Sequence, residues 1–176
     1  EEKGLNIHRV PTFIFYKNGK EVNRIVEHPK ETMERDMLKI VNGERYSSNY
    51  IGANYLQQIL TEKPVDTLRL MENNIVPWLG EVVKGSRELN TLGYVLLRAN
   101  ELDKAMYVFD INTKIFPYKY NVFDSLAEAH FENENYTEAI KIYYKVLSLN
   151  PDDKNAPEMI EKIKVKLKEL EPKEKN

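Results

Sequence analysis

The C-terminal half of the chain has apolar residues three and four positions apart, the spacing of amphipathic helices. Polar turn residues, at Asn100 and at positions 133–135, interrupt this pattern. The predicted helices lie near Glu88 to Ala99, Leu102 to Ile115, Tyr120 to Glu132 and Tyr136 to Ser148. A last helix is predicted over Asn155 to about Leu170, where Met159, Ile160, Ile163 and Leu167 form an apolar stripe.

The first four of these helices repeat with a period of 34 residues. Small residues in the repeat should let two antiparallel helices approach closely, aromatic residues should fill the space between pairs, and prolines should end the second helix of each pair. The repeated pairs are Gly93 and Ala127, Ala105 and Ala139, Phe109 and Tyr143, and Pro117 and Pro151.

This period and content resemble the tetratricopeptide repeat, over about Glu88 to Leu170. The resemblance implies two repeat units and a capping helix within residues 87–170, with a groove for a protein or peptide ligand along the first helix of each pair. The implied groove residues are Arg87, Asn90, Tyr94, Arg98, Asn121, Asp124 and Glu128. Members of this family that clamp a terminal carboxylate use amides and cations, so the acidic residues argue against that ligand class.

A different pattern opens the chain. Thr12 to Tyr16 and Glu21 to Val26 are short β-prone runs on either side of Asn18-Gly19, the preferred two-residue hairpin turn. Pro29 is predicted to open a helix that ends at Asn42-Gly43. The apolar residues Met33, Met37, Leu38, Ile40 and Val41 share one face of that helix.

This order of strand, turn, strand and helix resembles the C-terminal half of a thioredoxin-like domain, over Glu1 to about Asn42. Val10, Pro11 and Thr12 match the family's loop, in which a cis-proline lies beside the substrate chain. The resemblance therefore implies substrate contacts at these three residues. The family's C-x-x-C pair would lie upstream of residue 1, since the chain has no cysteine.

Together these patterns predict a mixed, mainly α fold. A partial thioredoxin-like hairpin and helix would occupy residues 1–43, a helical connector residues 44–86, the repeat units and capping helix residues 87–170, and a tail residues 171–176. Trp78 lies among apolar residues of the connector and is expected to be a buried packing residue, with ligand stacking as the alternative.

Composition narrows the function classes. A net charge of −2 gives no broad positive field, so nucleic acid is not an expected partner, and no apolar run is long enough to span a membrane. The three histidines His8, His28 and His130 are scattered and form no ligand pattern. We predict no catalytic residue, metal site or cofactor in this chain.

Three functional hypotheses remain open. In the first, the protein is a bacterial thiol-disulfide oxidoreductase whose repeats hold a disulfide-containing client near the dithiol. In the second, it is a non-catalytic adaptor that binds partners through the repeat groove. In the third, the repeats only stabilise or dimerise the protein. The sequence leaves the compartment open between bacterial cytoplasm and periplasm.

Overall fold

The computed structural model describes residue 7 and residues 10–46, 48–49 and 51–170. It is mainly helical with one N-terminal β-hairpin, which confirms the predicted fold class. The predicted tail, His8 and the first six residues of the thioredoxin-like resemblance lie outside the described residues. The elements are β1 (Thr12–Lys17), β2 (Lys20–Val26), α1 (Met33–Val41), α2 (Ile51–Glu62), α3 (Val65–Leu70), α4 (Glu72–Val82), α5 (Ser86–Arg98), α6 (Leu102–Ile115), α7 (Tyr120–Glu132), α8 (Tyr136–Leu149) and α9 (Asn155–Leu170).

The N-terminal hairpin forms as predicted. β1 and β2 are antiparallel, with Thr12 opposite Val26 and Lys17 opposite Lys20. Asn18 and Gly19 at the turn have φ values of 53° and 73°, and positive φ at both central residues is the requirement of a tight hairpin turn. Ile25 and Val26 at the end of β2 are buried and anchor the hairpin to the rest of the chain.

The predicted start of α1 at Pro29 is wrong, because the helix begins at Met33. The Thr32 hydroxyl accepts the Arg35 N–H at 3.2 Å and caps the helix. The Lys30 N–H donates to Asp36 Oδ2 at 2.5 Å, which holds the preceding segment outside the helix. Most of the predicted apolar face of α1 is uncovered: Met37, Leu38 and Val41 are exposed.

The connector is helical, as its apolar spacing predicts, and forms α2, α3 and α4. Leu56, Leu68 and Leu79 are its buried centre and join the main core. The prediction that Trp78 is buried is wrong, since 37% of this residue is exposed. Only the side of α4 that carries Ile75 and Leu79 faces the core. Trp78 lies on another side and packs against Tyr55 of α2, with ring centroids 4.3 Å apart.

Helices α5 to α8 form two successive hairpins, and their bounds agree with the prediction within about two residues. Asn100 and Glu134, at the two tight turns, have positive φ values of 60° and 57°. Phe109 and Tyr143, the repeated aromatic residues, are 0% and 1% exposed. The backbone of α5 meets α6 closely at Gly93, where a Cβ atom would lie 2.4 Å from Phe109 Cε1.

α9 covers the second hairpin by packing on α8. Ala156, Ile160 and Ile163 are buried in a cluster that includes Tyr143 and Val146 of α8. The predicted apolar stripe is therefore the face that this helix buries, and its lysines lie on the other sides.

We predict that Gly93→Ala destabilises the protein. The added methyl group must displace Phe109, and overpacking of this kind costs about 1–3 kcal/mol, reduced by a helix-propensity gain of about 1 kcal/mol. Gly80→Ala in α4 is the matched control, because no atom lies within 4 Å of its added Cβ. We expect Gly80→Ala to raise the free energy of unfolding and Gly93→Ala to lower it in urea titrations. Equal effects of the two substitutions would contradict the close approach at Gly93.

Candidate functional site

The first helices of the two pairs, α5 and α7, lie side by side and are joined by side-chain hydrogen bonds. Asn90 Nδ2 donates to Ser125 Oγ at 2.9 Å. The Tyr94 hydroxyl is 2.7 Å from Glu128 Oε2 and 3.2 Å from Ser125 Oγ. We call this surface, formed by α5 and α7 and bordered by the start of α9, the groove face. Its middle is a continuous polar network that holds the side chains of Asn90, Tyr94, Ser125 and Glu128 in place.

A buried amide of α6 supports this network from below. Asn112 is fully buried, and its Nδ2 donates to Asn90 Oδ1 at 2.7 Å and to the Ser86 carbonyl at 3.0 Å. Asn90 is thereby held between Asn112 and Ser125. Such a network orients its surface groups at little further entropic cost when a ligand binds.

The carboxylates of the groove face are paired with neutral donors. Asn155 Nδ2 of α9 donates to Asp124 Oδ1 at 2.9 Å, and burial raises the pKa of Asp124. Burial, together with the neighbouring Glu128, raises the pKa of Tyr94 to about 12. Tyr94 therefore stays a neutral hydrogen-bond donor at physiological pH.

The predicted groove residues separate into two groups. Asn90, Tyr94 and Glu128 are brought together, and Asp124 is held by α9. Arg87, Arg98 and Asn121 are exposed near the ends of their helices. Sequence reasoning missed Ser125 and Asn112. Each is a buried polar residue within an otherwise apolar helical face, and that interruption is the signal that could have identified them.

The Val10, Pro11 and Thr12 loop is the second predicted site. Val10 is 78% exposed, and the Val10–Pro11 peptide bond is cis. The Pro11 carbonyl accepts the Glu27 N–H at 2.7 Å, so the backbone of this loop is fixed by the end of β2. The sheet of the described residues has only two strands, and the other edge of β1 has no neighbouring strand there.

Cavities also lie away from the groove face. One, of about 490 Å³, is lined by α6, α7 and α8 and includes His130. Burial lowers the pKa of His130, which is half-buried. Another, of about 770 Å³, lies between the hairpin and α2 beside Trp78. Arg24 in this second cavity forms an ion pair with Glu21 at 2.6 Å.

Within the part of the chain that the structure describes, no group of three or more His, Asp or Glu side chains is arranged to hold a metal ion. None of the described helices is both long and apolar enough to cross a membrane.

The chain matches no model of a protein family, and comparison with curated proteins gives no significant relative.

We predict that Tyr94→Phe lowers the free energy of unfolding by about 1 kcal/mol, the typical net contribution of one hydrogen bond to stability. The variant loses the contacts with Glu128 and Ser125 but keeps the ring packing on Phe109, whose centroid is 5.1 Å away. Tyr118→Phe is the control, because Tyr118 is 87% exposed. Urea unfolding of the two variants is compared, and a Tyr94→Phe variant as stable as Tyr118→Phe would refute the network.

Proposed function

We propose that α5 to α9 are a protein-binding module of the tetratricopeptide type, which holds a peptide segment of a partner along the groove face. The observation that carries the proposal is the fixed polar surface shared by α5 and α7. Its support is the 34-residue recurrence, in which Phe109 and Tyr143 take equivalent buried positions in the two hairpins. A pre-arranged surface binds with less ordering of its own side chains.

The charges of the groove face define the partner chemistry that we propose. Asp124 and Glu128 already accept hydrogen bonds from Asn155 and Tyr94, yet each carboxyl group is only partly buried and keeps some of its surface in solvent. These two carboxyl groups favour a ligand that places peptide N–H groups and basic side chains along α7. Arg98, which is exposed at the end of α5, favours a ligand with an acidic residue beside α5.

The test starts with peptides selected from a random displayed library against the purified protein. Their affinities are then measured for the wild type, for Arg98→Glu on the groove face and for Lys141→Glu on α8, where 65% of the lysine side chain is exposed. Both substitutions reverse one exposed charge. We expect Arg98→Glu to weaken binding about tenfold, equivalent to about 1.4 kcal/mol, and Lys141→Glu to change it less than twofold. Equal effects of the two substitutions, or weaker peptide binding only with Lys141→Glu, would mean that the peptides bind outside the groove face.

The second part of the proposal concerns β1, β2 and α1, which we propose to be thioredoxin-like. Its support is the strand, Asn18-Gly19 turn, strand and helix order, with β1 offering one edge to an extended chain. In this proposal the protein is a thiol-disulfide oxidoreductase, and Val10, Pro11 and Thr12 contact a disulfide-containing client. The alternative is a non-catalytic adaptor, and the two proposals differ in whether the complete gene encodes a Cys-x-x-Cys pair, since these 176 residues contain no cysteine.

The two alternatives give opposite results in one assay. The product of the complete gene is tested for reduction of insulin disulfides by dithiothreitol. Activity that disappears when a Cys-x-x-Cys pair is replaced by serines supports the oxidoreductase. A product without such a pair, inactive but still binding the selected peptides, supports the adaptor.

A further inference from the structure

The cavity of about 770 Å³ between the hairpin and α2 has the size of a small-molecule site, since such sites commonly hold about 300–1,000 Å³. One wall is α2, whose residues Asn54, Gln58 and Thr61 line the cavity from one side of the helix. The other walls include residues 21–24 of β2 and Trp78 of α4. Three elements that are distant in sequence therefore enclose one space.

Arg24 gives this cavity a fixed wall. The residue is 6% exposed, and its Nε and Nη2 donate to the two carboxylate oxygens of Glu21 at 2.6 Å each. Its Nη1 also lies 3.5 Å from Asn54 Oδ1, so the ion pair connects β2 with α2. Because Arg24 and Glu21 neutralise each other, the pair presents polar groups to the cavity without a net charge.

Several polar groups of the lining have no partner within the part of the chain that the structure describes. Ser48 lines the cavity and is 5% exposed, and its hydroxyl forms no hydrogen bond with another described residue. The same holds for Asn54 Nδ2, Gln58 Oε1 and the indole N–H of Trp78. These groups are left to water or a ligand, and they include both donors and acceptors.

Exposed aromatic rings form the apolar part of the lining. Trp78 packs against Tyr55, yet 37% of Trp78 and 38% of Tyr55 remain exposed. Tyr16 of β1, which also lines the cavity, is 54% exposed. Tyrosine and tryptophan are enriched at binding sites because each combines a large apolar ring with a hydrogen-bonding group. A ligand on these rings would account for the exposure of Trp78 among otherwise apolar neighbours.

This combination fits a neutral sugar better than a charged ligand. A glucopyranose ring has C–H bonds on both faces, which pack on aromatic rings, and hydroxyl groups around its edge, which donate and accept hydrogen bonds. An anion would need a cation that is not already neutralised, and Arg24 is paired with Glu21. Glu62 is the other carboxylate of the lining, and it accepts Gln58 Nε2 at 2.9 Å.

We propose that this cavity binds a neutral oligosaccharide of glucose-type rings. Tyr55 and Trp78 form the stacking surface, and Ser48, Asn54 and Gln58 supply hydrogen bonds. The volume exceeds that of one pyranose ring, so the ligand is a short chain of rings. The cavity shares no residue with the groove face, and sugar binding does not depend on peptide binding there.

The test is a calorimetric titration of the protein with four neutral trisaccharides: maltotriose, cellotriose, laminaritriose and triacetylchitotriose. We expect at least one of them to bind with a dissociation constant below about 1 mM and to shift the indole N–H resonance of Trp78. Tyr55→Ala should weaken binding of that sugar about tenfold, and Gln58→Ala about threefold. Tyr144→Ala, which removes a tyrosine of α8 that is 53% exposed, is the matched control and should change affinity less than twofold.

The proposal is overturned if none of the four sugars binds, or if Tyr55→Ala and Tyr144→Ala bind the sugar equally well. Gln58→Ala keeps the test valid if Tyr55→Ala proves unstable, because Gln58 is exposed and its amide bonds only Glu62 among the described residues.

Spermidine tests the competing chemistry, in which Glu62 and the aromatic rings attract a cation. Spermidine binding that is tighter than that of every sugar and is weakened by Tyr55→Ala would also overturn the proposal. Peptide affinity in Gln58→Ala should stay unchanged, so a failure of sugar binding is distinguishable from a failure at the groove face.

Discussion

The contact between Gly93 and Phe109 sets the arrangement of the helices. α6 is the central helix of the molecule, since α3, α4, α5 and α7 all pack against it. Its inner residues Tyr107, Val108, Phe109 and Ile111 are fully buried, which requires every neighbour to approach closely. At Gly93 this approach leaves no room for a side chain, so one glycine fixes the spacing on which the groove face above it depends.

The junction between the hairpin region and the helices relies on a second buried interaction of α5. Glu88 reaches across to the start of α2, and the Ala53 N–H that it satisfies would otherwise lack an acceptor inside the protein. A carboxylate used in this way joins the start of α2 to the start of α5. The charge of Lys84 also stabilises this carboxylate, although burial still raises the pKa of Glu88.

The sequence predicts the helices well because each one carries its own signal. The 34-residue recurrence, Asn100 at a turn and the apolar stripe of α9 all act over short distances, and each agrees with the structure. The two errors have different causes. The start of α1 depends on a local choice, in which the Thr32 cap and the bond from Lys30 to Asp36 replace a helix start at Pro29, whereas the exposure of Trp78 depends on which side of α4 meets the core.

The sequence predicts most of the residues of the groove face, but it does not predict the hydrogen bonds that connect them. These bonds join residues about 30 apart, such as Tyr94 and Glu128. The polar interruptions at Ser125 and Asn112 mark these two residues in the sequence, but they do not identify the residues to which each is bonded.

The position of Trp78 has a consequence for how unfolding would be observed. It is the only tryptophan of the chain, and its ring rests on Tyr55 between α4 and α2. Its fluorescence therefore reports the separation of these two helices. The cluster formed by α7, α8 and α9 contains no residue of α2 or α4. Its unfolding would be followed by far-ultraviolet circular dichroism, to which every helix contributes. Coincidence of the two signals would mean that the terminal helices and the connector unfold as one cooperative unit.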